Sequence, residues 1–191
     1  MESSKRCSTL WLETERLVLR PMSEEDADLV VKWRNSRRIS SETLQASDVL
    51  LTVEDHLSWF RRTRSSRLDY IMVTKDGEVP IGCLSFRFVE LKGFGLCGES
   101  GRYIGEETYL GNGYASEAAA RWLKFGFYDL SLDCVVGRTR CSNVANIRMN
   151  KRLGYRFHAW PDEFGSVSEE WCFMYLTREE WFRVDKSDAG G

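Results

Sequence analysis

The stretch of this chain best equipped for chemistry is Ile104-Gly-Glu-Glu-Thr-Tyr-Leu-Gly-Asn-Gly-Tyr-Ala-Ser-Glu-Ala118. Gly111 and Gly113 flank Asn112, and two glycines so close let the backbone turn tightly and bring several N–H groups to one concave face. A helix running towards Tyr128 follows at once. At a helix N-terminus the leading amides lack intrahelical partners and the dipole favours anions. Tyr109, Leu110, Gly111, Asn112, Gly113, Tyr114, Ala115 and Ser116 thus make a candidate pyrophosphate cradle. Gly-x-Gly alone is equally the mark of a plain turn into a helix, so the assignment rests on what surrounds it. Two familiar phosphate loops do not match. A P-loop requires Gly-Lys-Ser/Thr where Gly113-Tyr114-Ala115 stands, and a dinucleotide fingerprint requires a third glycine at Ser116.

Other chemistries find less support. The six cysteines (7, 83, 97, 134, 141 and 172) are far apart and form no Cys-x-x-Cys. With no secretory signal ahead of them, they read as reduced thiols, mostly buried in strands. Cys141 has a basic neighbour, Arg140, as an activated nucleophile requires; a small residue ending a strand is the plainer reading. His56 and His158 are the only histidines and no cysteine pair flanks them, so no metal site is expected.

The elements that must position the cradle follow from pattern. A chain of 191 residues suits one domain, residues 1–191, with a sizeable core. A net charge of −2 argues against a dedicated nucleic-acid binder. No apolar run approaches a membrane span and residues 1–8 carry no apolar signal region, which points to the cytoplasm. Alternation from Leu10 to Leu19 predicts a strand ended by Pro21. Ser23-Glu-Glu-Asp26 and Thr52-Val-Glu-Asp55 open two helices with capping boxes, and residues 36–51 between them read as irregular. Tyr70–Val73 and Ile81–Phe88 form a hairpin about Lys75-Asp-Gly77. Leu96–Ile104 leads into the glycine loop, and Leu132–Arg140 follows its helix. Asn143–Arg152 is a short helix closed by Gly154, Tyr155–Trp160 and Trp171–Leu176 are strands, and Thr177 starts a last helix. The sum is seven strands and four to five helices in a mixed, twisted α/β (α+β) sheet.

Taken together, these residues resemble the GCN5-related N-acetyltransferases (GNAT), and within them the RimJ/RimL-like branch. Leu12-Glu-Thr-Glu-Arg-Leu-Val-Leu-Arg-Pro21 with Glu24-Glu-Asp26-Ala is similar to that branch's first strand and helix. The loop is similar to the family's Gln/Arg-x-x-Gly-x-Gly/Ala, matched at Gly111 and Gly113, with Thr108 in the Gln/Arg place. Asn143-x-x-Asn146-Ile-x-x-Asn150-x-x-Leu-Gly154-Tyr155 resembles a later Asn…Leu-Gly-Phe motif. The resemblance spans residues 10–176.

The resemblance implies a sheet splayed between its fourth and fifth strands, with acetyl-CoA as donor. A neutral primary amine then attacks the thioester directly, without an acyl-enzyme. Coenzyme A would place its pyrophosphate on the 111–115 amides and its pantetheine along Tyr103 and Ile104, with Asn143 bonding the arm. Asn150 stands where relatives often carry the tyrosine that protonates the leaving thiolate, which leaves the general acid unassigned. An ammonium must first lose a proton, and Glu99, in the family's Glu-x-Gly pattern, is the candidate acceptor. An ion pair of Glu99 with Arg102 or another basic residue is the alternative, and Glu106 and Glu107 read as solvated loop charges.

Trp33-Arg34-Asn35 and His56-x-x-Trp59-Phe60 are similar to the arrangement in amino-sugar nucleotide N-acetyltransferases, where an aromatic platform stacks on the acceptor and Arg34 would meet a phosphate. The same aromatics at helical spacing also suit a core. Acetylation of a protein N-terminus is the competing enzyme reading. A non-catalytic acetyl-CoA-binding module is a third, motivated by Thr108 and Asn150. The expected partners are acetyl-CoA and an amine, with neither nucleic acid nor membrane, in a monomer or homodimer.

Overall fold

A computed structural model describes residues 10–42, 49–166 and 169–188. The expected first strand folds back on itself. The Thr14 N–H donates to Leu17 O at 2.9 Å, and this turn splits the segment into β1 (Leu12–Glu13) and β2 (Leu17–Pro21), antiparallel with Leu12 opposite Leu19. The sheet therefore has eight strands where the pattern predicted seven. Nothing announces the extra turn, because Thr14-Glu15-Arg16 holds no glycine, proline or asparagine.

A 3-10 turn at Glu24–Asp26 enters α1 (Ala27–Asn35), and a four-residue helix α2 (Arg37–Ser40) sits inside the segment read as irregular. Helix α3 (Val53–Thr63) starts at the capping box that the sequence showed: the Asp55 N–H donates to Thr52 Oγ1 at 3.1 Å, and the Asp55 carboxylate accepts from the Thr52 N–H at 3.2 Å. Next come β3 (Arg67–Thr74), β4 (Pro80–Leu91), β5 (Gly95–Ile104) and α4 (Tyr114–Lys124), which runs into a π turn at Phe125–Asp129. The chain continues with β6 (Cys134–Arg140), α5 (Val144–Arg152), β7 (Arg156–His158), β8 (Trp171–Thr177) and α6 (Arg178–Asp188).

The strand order is β1-β2-β3-β4-β5-β6-β8-β7 in one mixed sheet. Strands β2 and β3 pair antiparallel, as do β6 with β8 and β7 with β8. Strands β5 and β6 pair in parallel. Their ladder covers only Cys97–Glu99 against Cys134–Val136, although β5 runs on to Ile104 and β6 to Arg140. Among the described residues, no helix is long and apolar enough to cross a membrane.

By contact the chain forms two compact units, one from residues up to Phe86 with Gly101–Arg121, the other from Arg87–Ser100 with the residues from Trp122 onward. The first has a core of Val30, Trp33, Ile39, Ile71 and Cys83. The second is centred on Leu91, Cys97, Cys134, Val136 and Phe173, with Cys97 and Cys134 as free buried thiols. Here the reduced state expected for all cysteines is corrected: Cys141 and Cys172 form a disulfide. The β6–β8 register sets Cys172 opposite Thr139, so Cys141, one residue beyond β6, is its diagonal neighbour. A separation of 31 residues hides that proximity from the sequence.

Gly105, just beyond β5, has no room for a side chain. A Cβ there would lie 2.2 Å from Cδ2 of Trp33, whose indole is 2% exposed. Gly105→Ala is expected to destabilise the protein by about 2 kcal/mol through overpacking. Chemical denaturation checks this, and an unchanged midpoint contradicts the packing described.

Candidate functional site

In the first unit the glycine loop takes the shape its sequence implied. Gly111 and Gly113 have φ of +75° and +82°, in the left-handed region where glycine carries no steric cost. The first helical bonds run from Ser116 N–H and Glu117 N–H to Gly113 O, so the Tyr114 and Ala115 amides lie ahead of the helical ladder. A Cβ on Gly111 would meet nothing within 4 Å, and one on Gly113 would meet only Arg16 Nη2, at 3.4 Å. The glycine face of the loop is thus uncovered. Asn112 pins it from inside, its Nδ2 donating to Thr108 O at 3.3 Å, while Tyr109 and Tyr114 meet edge-on at 5.7 Å. Leu110 and Ser116 are exposed.

The residues behind the loop hold it by contacts that spacing did not announce. Glu117, in the first turn of α4, accepts from Thr14 Oγ1 at 2.5 Å, from the Arg16 N–H at 2.8 Å and from Arg16 Nε at 2.7 Å. Burial by itself would raise the Glu117 carboxyl. The hydrogen bonds from Thr14 and Arg16 outweigh it and hold that carboxyl below the usual range. Arg16 Nη1 donates to Asn112 O at 3.0 Å, and the guanidinium lies 4.2 Å from the Tyr114 ring centroid. Arg38 Nη2 donates to Ile104 O at 2.9 Å and Gly105 O at 3.0 Å, at the end of the stretch along which the pantetheine arm was expected to run. Tyr103 points its hydroxyl inward to the Cys83 thiol; burial raises the tyrosine and pushes the thiol up to about 12.

Of the five expected acceptor residues, three come together. Arg34 lies 5.7 Å and Arg67 4.6 Å from the Trp59 ring centroid, and the His56 ring is 5.5 Å from that of Trp59. His56 is 1% exposed and its Nδ1 has no hydrogen-bond partner among the described residues. Burial, then the nearby Arg34 charge, lower its pKa, so the imidazole is neutral at pH 7. The other two serve the fold. Trp33 is buried, with Nε1 donating to Glu106 Oε1 at 2.8 Å. Glu106, read as a solvated charge, is instead the partner of that indole and of Lys32, and both hydrogen bonds lower its pKa. Asn35 exchanges two 2.9 Å hydrogen bonds with the backbone of Leu51.

In the second unit Glu99 is ion-paired, as the alternative reading had it, but with Arg87 on Oε2 and Arg138 on Oε1 rather than with Arg102. Asn143 caps α5, its Oδ1 accepting from the Asn146 N–H at 3.1 Å, while Asn146 Nδ2 donates to Thr139 Oγ1 at 3.0 Å. Asn150 is 3% exposed and its Nδ2 lies 3.7 Å from Met174 Sδ. Its side chain is therefore part of the core. Cys141, whose sulfur is committed to the disulfide, is no nucleophile in this state.

The family described as the acetyltransferase (GNAT) domain matches residues 16–156. An uncharacterized N-acetyltransferase, YnaD of Bacillus subtilis, is 22% identical over 174 residues, covering 89% of this chain and 98% of that protein. Among solved structures, apo FdhC, a nucleotide-linked sugar GNAT, superposes with a TM-score of 0.74 at 16% identity over 95% of this chain and 97% of its own. RimJ of Mycobacterium smegmatis in complex with CoA-disulfide gives 0.72 at 17% identity over 94% and 95%.

The buried imidazole sets a pH dependence. The folded pKa of His56 lies below the unfolded value of about 6.5, so the unfolded chain protonates first as pH falls. Stability is unaffected by His56 above that pH and lost below it, down to the folded pKa. The stability deficit of His56→Gln relative to the native protein is therefore expected to shrink between pH 7 and pH 5 in urea denaturation. A difference that stays constant with pH removes His56 as the titrating group.

Proposed function

The chain belongs to the GNAT acetyltransferase family, and on that premise we propose that it moves the acetyl group of acetyl-CoA to the primary amine of a small acceptor carrying an anionic group, such as an amino-sugar nucleotide. The observation that supports the donor site is the open, left-handed Gly111–Gly113 turn at the start of α4. Its glycines admit a diphosphate close to the backbone, and the leading amides of the helix supply the donors. Tyr103 and Ile104 line the path of the pantetheine through their backbone, and Asn143 is assigned to the arm's amide. One domain, residues 1–191, carries the activity.

The acceptor reading rests on Arg34 and Arg67 about Trp59, a cationic and aromatic pairing suited to a phosphorylated ligand. A protein N-terminus offers a backbone for pairing but no phosphate for these arginines. Release of the CoA thiol should therefore be faster with phosphorylated amino sugars than with N-terminal peptides. The reverse order selects the peptide reading, and acetyl-CoA binding without turnover on any amine selects a binding module.

The amine is expected to give its proton to Glu99. Oε2 accepts from Arg87, and a carboxylate oxygen with one donor keeps a second lone pair for another. Attack of the neutral amine on the thioester carbonyl gives a tetrahedral adduct. As it collapses, the amide forms, the C–S bond breaks, and the second proton of the adduct nitrogen passes through water to the expelled thiolate, since buried Asn150 is no acid for it.

Two variants test the assignments. Gly111→Trp fills open space rather than core, so acetyl-CoA binding should weaken by tenfold or more, about 1.4 kcal/mol, while left-handed strain of about 1 kcal/mol lowers the melting temperature by a few degrees. Unchanged binding sinks the loop assignment. Glu99→Gln should lower kcat roughly a hundredfold and shift the acid limb of its pH profile; an unshifted profile leaves Glu99 with its ion pairs only.

A further inference from the structure

We infer that Arg16 is the cationic positioning residue of the diphosphate cradle, standing in for the basic or amide side chain that Thr108 lacks. The inference rests on the acetyl-CoA reading of the loop and goes beyond it, since Arg16 lies in the β1–β2 turn, 101 residues from Glu117.

Three contacts carry it. Arg16 Nη1 donates to Asn112 O at 3.0 Å, which fixes the peptide between the two left-handed glycines. Arg16 Nε and Nη2 lie 2.7 Å from Glu117 Oε2, a charge-assisted fork that orients the guanidinium. A Cβ on Gly113 would sit 3.4 Å from Nη2, so the cation rests against the cradle itself. These contacts use one hydrogen on each Nη, and each Nη carries two. The side chain is 41% exposed, so it is not sealed behind the loop.

The charge is needed as well as the geometry. Glu117 is a carboxylate in the first turn of α4, where it would repel an incoming diphosphate across a few ångströms. Arg16 neutralises it and at the same time holds Asn112, so the amides are presented to the ligand with no uncompensated negative charge beside them. Lysine has a single donor head and a different shape, and so does not span Glu117 and Asn112 together.

The test separates the phosphorylated nucleotide half of the donor, diphosphate included, from its pantetheine arm. Binding of acetyl-CoA and of S-acetylpantetheine, which lacks the diphosphate, is measured for the native protein, Arg16→Ala and Arg16→Lys, by calorimetry and ligand-observed NMR, with melting temperatures alongside. Arg16→Ala should weaken acetyl-CoA roughly tenfold and Arg16→Lys by less, with S-acetylpantetheine unchanged in all three. Equal weakening of both donors would mean that Arg16 only supports the fold, and unaltered acetyl-CoA binding would also overturn its role. Should Arg16→Ala fail to fold, Arg16→Lys decides: binding equal to the native protein's overturns the inference. A native protein that binds neither donor overturns the acetyl-CoA reading itself, an outcome distinct from the others.

Discussion

A carboxylate in the first turn of a helix proposed to receive a diphosphate is a contradiction that the first unit has to resolve. The helix dipole favours Glu117 where it stands, and the same position would repel the ligand. Three donors answer it: Thr14 Oγ1, the Arg16 N–H and Arg16 Nε. Thr14 also closes the turn, its Oγ1 accepting from the Leu17 N–H at 2.9 Å. The split of the first strand into β1 and β2 is therefore more than a variation in strand count. It brings a hydroxyl, an amide and a guanidinium to one carboxylate, and through Arg16 to the carbonyl of Asn112. The glycine loop owes its shape to its own left-handed residues and its placement to the start of the chain.

That division explains what the sequence made legible. Gly111, Gly113 and Gly154 all take positive φ, and the Thr52–Asp55 box caps its helix, because these signals act within a turn of chain. Asn143 is likewise a local cap. Most strands were visible from alternation, and the order of elements pointed to the mixed sheet. The Arg16–Glu117 fork, the Arg38 contacts to Ile104 and Gly105, and the Cys141–Cys172 bond all join distant segments. Single-residue spacing carries no signal for such pairs. Only the packing of helices on the sheet and the register of its strands make them neighbours.

The acceptor residues show why residue type alone misleads. Trp33 and Trp59 both stand on helices with a basic residue nearby, yet their fates differ. Trp33 faces Gly105, where only a missing side chain admits the indole, and its N–H finds Glu106. A buried tryptophan with a satisfied N–H is a core residue. Trp59 is half-buried, with the Arg34 and Arg67 guanidinium groups near its ring. His56 completes that group as a neutral ring whose buried Nδ1 lacks a partner among the described residues, a cost of folding that a passive core position would ordinarily avoid.

The second unit applies the same electrostatic rule to a different charge. Arg87, Glu99 and Arg138 come from β4, β5 and β6, three neighbouring strands, and Glu99 is the last residue of the parallel ladder. At that position its two ion pairs tie β4, β5 and β6 together within the second unit. Arg138 lies 4.6 Å from the Phe164 ring centroid as well, which sets an aromatic face on the other side of the cation. Removing the carboxylate would leave two guanidinium groups facing one another with nothing between them. A structural and a proton-accepting role for Glu99 are therefore not rivals. The clamp fixes the carboxylate at the end of the ladder, and a carboxylate held there has a constant position from which to meet an amine. What distinguishes the roles is protonation, because the clamp needs only the charge, whereas proton transfer needs the charge to be lost and regained in every turnover.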